Sequence, residues 1–302
     1  MRIRRTLIGV ALLCAATLLV ACVSSQRDAQ AARRAGKKRL LVVTVTKGFR
    51  HDSIPVAEET IQSLGEKTGR WDTDFVRTDE EMQAKMSRAA LQNYDAIVFA
   101  NTTGTLPLPD PQGFLDYIKA GHGFVAMHSG SDTFHEWPGG SPGEVSAYVR
   151  MLGAEFAGHH RQCAVDAHLL DPKHPALKPI AAAGAHTPVT TVSDEQLQKA
   201  SVAQGATWKA FDEIYLFKNI DRANMRALLT LDKHPNDGSP EANQPGEYLV
   251  SWCKSYGKGR VFYTSFGHRQ EMWRDPLYQQ HITGGIEFAL GLAKGSTQPN
   301  PL

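Results

Sequence analysis

Residues 39–46 read Arg-Leu-Leu-Val-Val-Thr-Val-Thr, apolar and β-branched with no alternation. A strand wetted on one face alternates, so an unbroken run marks a strand buried on both faces, as in a parallel sheet. The polar stretch Lys47-Gly-Phe-Arg-His51 follows as a loop. Ser53 or Asp52 then caps a helix, with Pro55 in its first turn and Val56, Ile61 and Leu64 on its apolar side. Strand and polar loop recur at 73–77, at 95–100 ending in Asn101-Thr-Thr-Gly104, and at 123–128 ending in Ser129-Gly-Ser-Asp132, with a helix over 110–120. This alternation predicts an α/β fold on a mostly parallel sheet with right-handed crossovers. After about residue 158 helices thin out. Strands are expected near 163–170, 188–192, 212–217, 225–232, 247–253 and 259–265, adding antiparallel strands at one edge. A last helix, 276–290, carries Ile282, Ile286 and Leu290 at helical spacing and packs back on the sheet.

The N-terminus has a different pattern. Met1-Arg-Ile-Arg-Arg5 precedes an uncharged apolar run over 6–21, the charged and apolar parts of a secretory signal, too short for a comfortable membrane span. The run closes on Leu19-Val20-Ala21-Cys22, which resembles a bacterial lipobox; Cys14, preceded by Leu13, fits less well. Residues 1–21 are therefore expected to be cleaved and Cys22 lipidated, with 22–38 a polar tether, 39–292 the domain and 293–302 a loose tail. The product is an exported protein held on a membrane facing the periplasm; Val23-Ser24 lacks the aspartate of inner-membrane retention, which points to the outer membrane. Cleavage removes three arginines and no acid, taking the charge from +2 to −1, which argues against a nucleic-acid partner. Cys163 and Cys253 are expected as two buried thiols.

In open α/β sheets ligands bind beyond the carboxyl ends of the strands. The residues there are rich in histidine and charge: Lys47, Arg50 and His51; Asn101, Thr102 and Thr103; His128, Ser129 and Asp132; Ser265 and His268. Ala126-Met-His-Ser-Gly130 has the form of the sharp strand-to-helix elbow that presents nucleophiles in hydrolases, here with His128 at the apex. Imidazole serves as general acid, general base or metal ligand. His159 with His51, His128 and His268 could hold a divalent metal, although no pair has a zinc-motif spacing; the other reading is hydrogen-bonded histidines lining a sugar pocket. Asp212-Glu213 offers carboxylates to the cations of the first loop, and Trp137 and Trp273 offer faces to a sugar ring. His122, His168, His174, His186, His234 and His281 are read as structural.

Four motifs in this order, Lys47-Gly-Phe-Arg-His51-Asp-Ser-Ile-Pro55, Gly123-Phe-Val-Ala-Met-His128-Ser-Gly-Ser-Asp132, Asp212-Glu-Ile-Tyr215 and Gly259-Arg-Val-Phe-Tyr-Thr-Ser-Phe-Gly-His268, resemble the ThuA family of trehalose-utilisation proteins. The resemblance covers about 39–292 and implies a flavodoxin-like, class I glutamine amidotransferase-like three-layer fold. It also implies a role with disaccharides or their 3-keto derivatives beside sugar dehydrogenases. Carried over by motif, the site is Lys47, Arg50, His51, His128, Asp132, His159, Glu213 and His268. Met127-His-Ser-Gly-Ser131 departs from an expected Ile-His-Ser-Ala-Thr and alters only pocket shape. True amidotransferases carry a cysteine thiolate at the elbow; an imidazole cannot form their thioester, which excludes a glutaminase.

The expected function is an enzyme acting on a keto-sugar or related glycoside. His128 or His268 is the base, Lys47 or Arg50 polarises the ketone, and Glu213 or Asp132 orients an imidazole. A non-catalytic sugar-binding lipoprotein is the alternative.

Overall fold

A computed structural model describes residues 36–183 and 207–300. The leader with Cys14 and Cys22, most of the tether, the expected strand at 188–192 and His186 lie outside the described residues. The first half follows the hydrophobic pattern closely: β1 (Lys38–Val43), α1 (Ile54–Thr68), β2 (Trp71–Val76), α2 (Asp79–Lys85), α3 (Arg88–Leu91), β3 (Ala96–Ala100), α4 (Pro111–Lys119) and β4 (Gly123–Met127). A 3-10 turn, His128–Asp132, and α5 (Ala147–Leu152) lead into the strand-rich half. There the order is β5 (Glu155–Gly158), β6 (Cys163–Leu169), α6 (Lys178–Ala182), β7 (Thr207–Asp212), β8 (Leu216–Lys218), β9 (Arg226–Lys233), β10 (Pro245–Tyr256) and β11 (Gly259–Thr264), closed by α7 (Gln270–Arg274) and α8 (Pro276–Ala289).

The main sheet has nine strands in the order β2-β1-β3-β4-β11-β10-β9-β6-β7. The first five run parallel, and each later neighbour pairs antiparallel. This is the predicted mostly parallel α/β sheet with an antiparallel edge. Both faces are buried, as the unbroken apolar run in β1 required: Leu40 and Val42 join α1 and α8 in one apolar cluster, while Leu41 and Val43 join α4 and α5 in another. Gly284 and Gly285 interrupt α8 where glycine costs about 1 kcal/mol each against alanine. They are there because α8 lies close: a Cβ on Gly285 would overlap the Phe262 ring of β11, and one on Gly284 the Pro175 carbonyl.

Several expectations are corrected. The strand expected at 212–217 is broken into β7 and β8, because Asp212 and Glu213 turn their side chains to the site and the chain leaves the ladder there. β5, pairing with β8 as a separate two-stranded sheet, has no counterpart in the hydrophobic pattern. The tail is tied down through residue 300: Asn300 pairs with both backbone groups of Ala227 at 2.9 Å, and Arg226 holds the Gln298 carbonyl. Ser53 is the residue before α1, but its side chain makes no capping bond. Cys163 and Cys253 are free and buried, and burial pushes both thiols up to about 12. Among the described residues no helix is long and apolar enough to cross a membrane.

Gly285→Ala should raise helix propensity yet lower stability, by roughly 1–3 kcal/mol, because overpacking against Phe262 outweighs the backbone gain. A denaturant midpoint equal to or above that of the parent chain would show the helix free to shift away.

Candidate functional site

β1, β3, β4 and β11 are consecutive and parallel, so their C-terminal ends share one edge of the sheet. Each delivers a polar loop there. His128, the first residue after β4, has φ 48°, and Asn101, the first after β3, has φ 53°. Left-handed backbone at non-glycine residues costs free energy and concentrates at functional sites. Two residues past His128, a Cβ on Gly130 would lie 2.9 Å from Ala126 Cβ and 3.2 Å from the Phe99 carbonyl oxygen, so only glycine allows the turn to close on β3. The elbow read from the sequence is present, with an imidazole at its apex.

Buried hydrogen bonds fix the loops against one another. The Gly267 carbonyl accepts from Ser53 Oγ (3.2 Å), Asn101 Nδ2 (2.9 Å) and Trp273 Nε1 (2.8 Å), joining the loops after β1, β3 and β11. This is where the hydroxyl of Ser53 went instead of capping α1. Asp212, fully buried, accepts from the backbone N–H groups of Gly267 (2.7 Å), His268 (3.3 Å) and Arg269 (3.2 Å). Burial pushes its pKa up to about 6 while those N–H groups pull it down. Its neighbour Glu213 faces the opposite way, into the histidines.

There His51, His128 and His268 meet Glu213. His128 Nε2 lies 3.1 Å from His51 Nε2 and 3.6 Å from Glu213 Oε2, and His268 Nδ1 lies 3.2 Å from the same oxygen. His128 Nδ1 is 2.7 Å from the Ser265 carbonyl, and Ser129 Oγ is 3.3 Å from His51 Nδ1. Burial, then the charge of His268, lowers His51 to about 4; burial, then His51, holds His128 well below its ordinary value. Burial works against His268 too, but the Glu213 carboxylate outweighs it and raises that pKa. His159, from the end of β5, reaches the other oxygen of Glu213 through Nδ1 at 3.0 Å and is half exposed.

The remaining expected residues divide. Thr103 braces the first loop, donating to the Phe49 carbonyl (2.8 Å) and accepting from Gly48 N (3.1 Å); Thr102 hydrogen-bonds Thr133 (2.8 Å). Lys47 is paired with Asp79, and Arg50 donates to the Thr44 carbonyl, so neither cation is bonded to the cluster and Asp212-Glu213 pairs with neither. A four-ligand set of His51, His128, His159 and His268 is corrected: the side chains that converge are His51, His128, Glu213 and His268, with ligand atoms all within 4.8 Å of one another. His159 stands behind Glu213, so the carboxylate takes the place expected for it. Trp273 is fully buried, so its ring is not open to a sugar, and Trp137, half-buried, packs edge-on to Phe134 at 5.1 Å.

Two residues escaped the sequence reading. Phe49, 66% exposed, sits edge-on to His51 with ring centroids 4.8 Å apart; an aromatic residue between polar ones in the first loop was the available signal. His135 is held by Asp132 (Nε2 to Oδ1, 2.6 Å) and Glu155 (Nδ1 to Oε1, 2.5 Å), with Asn219 also donating to Glu155. Asp132 therefore orients His135 rather than His128. The spacing Asp132-Thr-Phe-His135 was legible; Glu155, on an unexpected strand, was not.

The family model described as ThuA, trehalose utilisation, matches residues 39–289, most of the chain. The chain belongs to the ThuA family. Similar folds are a ThuA-like protein from Parabacteroides merdae (TM-score 0.59, 17% identity, covering 84% of this chain and 90% of that one) and another from Bacteroides uniformis (0.57, 16%, 83% and 91%). A cytoplasmic protein from Salmonella typhimurium shares the fold at TM-score 0.51 and 13% identity, covering 83% of this chain and 98% of its own. A comparison with curated proteins gives no match.

In this ThuA-family protein His135 should titrate above its ordinary 6.5, since the hydrogen bond to Asp132 outweighs burial, with Glu155 adding to it. A histidine pKa raised on folding contributes stability that is complete below the unfolded value and lost as pH climbs through the folded one. His135→Gln should therefore destabilise more at about pH 6 than at about pH 9, as read by denaturation at each pH, with the imidazole midpoint followed by NMR. An equal loss at both pH values would place His135 outside any charge pairing.

Proposed function

We propose that this protein is a carbohydrate-processing enzyme acting on 3-keto-disaccharides or related glycosides. The observation that carries this is the buried convergence of three imidazoles and one carboxylate, in a family named for trehalose utilisation, beside an exposed aromatic ring. A ketone at C3 acidifies the C2–H bond. A base takes that proton, the C–H electron pair becomes the C1–C2 double bond, and the C1–O bond breaks. The leaving oxygen keeps the C1–O bonding pair and takes a proton from an acid. Water added back across the double bond makes the net change hydrolysis. No oxidant is consumed, so a sugar dehydrogenase acting earlier must install the ketone.

Proton transfer falls to an imidazole oriented by a carboxylate, and the fold supplies two such units. Glu213 faces His159, and Asp132 faces His135. Phe49 offers the exposed ring that buried Trp273 does not. The finer fold reading is the three-layer, amidotransferase-like one, in which His128 stands where a thiolate attacks glutamine; glutaminase chemistry is not proposed.

Incubation of the mature chain with 3-keto-trehalose in D2O should release monosaccharide and incorporate deuterium at C2, and Phe49→Ala should raise KM roughly tenfold with kcat little changed. Binding with neither exchange nor release would leave a sugar-binding protein and end the enzymatic reading.

The leader pattern supports placing this activity on a periplasm-facing lipid anchor at Cys22, probing the outer membrane first. Cys22→Ser should move the protein from the membrane to the soluble fraction and abolish incorporation of labelled fatty acid; a labelled, membrane-bound variant would refute the anchor.

A further inference from the structure

Four bonds of about 2.0–2.1 Å to a tetrahedral zinc ion set neighbouring ligand atoms roughly 3.3 Å apart. Three of the six ligand-atom pairs already have this spacing: 3.1 Å between the Nε2 atoms of His51 and His128, 3.6 Å from His128 Nε2 to Glu213 Oε2, and 3.2 Å from that oxygen to His268 Nδ1, with all six pairs within 4.8 Å.

Hydrogen bonding shows which atoms carry free lone pairs. A carbonyl only accepts, so His128 Nδ1 donates to Ser265 O at 2.7 Å, and in the neutral ring the lone pair sits on Nε2, aimed at the cluster. A backbone carbonyl behind the far nitrogen is the usual support of a metal-bound histidine. His51 Nδ1 has Ser129 Oγ at 3.3 Å, a partner that can accept in the same manner. With that proton on Nδ1, two Nε2 lone pairs face each other at 3.1 Å, an arrangement a cation between them relieves. His268 Nδ1 is buried, and although Glu213 is 3.2 Å away the pair is out of line for a hydrogen bond, so this nitrogen also lacks a partner among the described residues. Glu213 is buried with histidines around it and no lysine or arginine paired to it among the described residues. A buried carboxylate needs a compensating positive charge.

We propose that His51 Nε2, His128 Nε2, His268 Nδ1 and one Glu213 oxygen bind a single divalent transition ion, zinc foremost. Three imidazoles and one carboxylate suit such an ion better than magnesium or calcium, which prefer oxygen. Ser265, Ser129 and His159 form the surrounding shell, each within 3.3 Å of one ligand. Metal binding rests on this geometry alone. A second part, that the ion would polarise the ketone in place of Lys47 and Arg50 by taking its oxygen as a fifth ligand, rests on the keto-sugar reading.

The test uses untagged mature protein stripped with a chelator and titrated with Zn²⁺ against a competing chromophoric chelator, with metal content measured by mass spectrometry and thermal midpoints recorded. One equivalent should bind and raise the midpoint. Glu213→Gln, which keeps the side chain's shape, and His268→Asn should each weaken binding by about 100-fold or more, while Ser129→Ala should weaken it by roughly 10-fold. Failure to bind zinc, or stoichiometric binding unchanged in the Glu213→Gln and His268→Asn chains, overturns the site and leaves His51 Nε2–H donating to His128 Nε2 instead. Zinc bound without 3-keto-sugar turnover would keep the metal site and sink the keto-sugar reading; turnover undiminished after stripping would keep the keto-sugar reading and overturn the ion's part in the reaction, leaving the binding titration to decide the site.

Discussion

Four strand positions separate β7 from β11, roughly 19 Å across a flat sheet, yet the carboxylate at the end of β7 hydrogen-bonds the loop that follows β11. Asp212 can do this only because the antiparallel β6–β7 pair leaves the plane, and β6 shares just two register pairs with β9 before it diverges. The antiparallel edge thus folds back over the strand ends of the parallel half. Everything at the site depends on that return. The imidazoles come from the parallel half, and the acid beside them comes from the returning β6–β7 pair. A buried carboxylate accepting three backbone N–H groups is costly to break, because each donor would be left without water.

The parallel half was legible because its physics is local. A strand covered on both faces must be apolar throughout, and the first polar residue after it must lie at the sheet's edge, so His51, Asn101, His128 and His268 could be assigned to one rim from the chain alone. The partners of these residues were not legible. Whether Asp132 turns toward His128 or His135, and whether Glu213 meets a lysine or an imidazole, depends on β5 and the β6–β7 pair, whose placement follows from long-range packing. The same limit applies to the tail, where polar residues read as solvated until Asn300 is seen completing the backbone pairing of Ala227. Trp273 shows the converse error, since proximity in sequence to a site loop does not keep an indole at the surface.

Burial shapes the chemistry as much as identity does. His51 and His128 lie where water cannot stabilise a charged ring, so both are held neutral, with lone pairs available. His135, only half buried and set between two carboxylates, is pushed the other way. One short stretch of chain, from the elbow to the loop after it, therefore carries a neutral ring and a protonatable ring seven residues apart. Environments that drive like groups in opposite directions are how one fold divides ligand, base and acid duties among the same side-chain type.

The left-handed backbone at His128 has a further consequence for how this position can change. At φ 48° most side chains are strained, and asparagine, aspartate and glycine are the tolerated neighbours in sequence space. Replacement by alanine removes an imidazole and also loads the turn, so a loss seen there mixes two causes. Drift at this residue is accordingly channelled toward a few small or amide-bearing types, and a lineage that abandoned the ring would keep the bend long after the chemistry had gone.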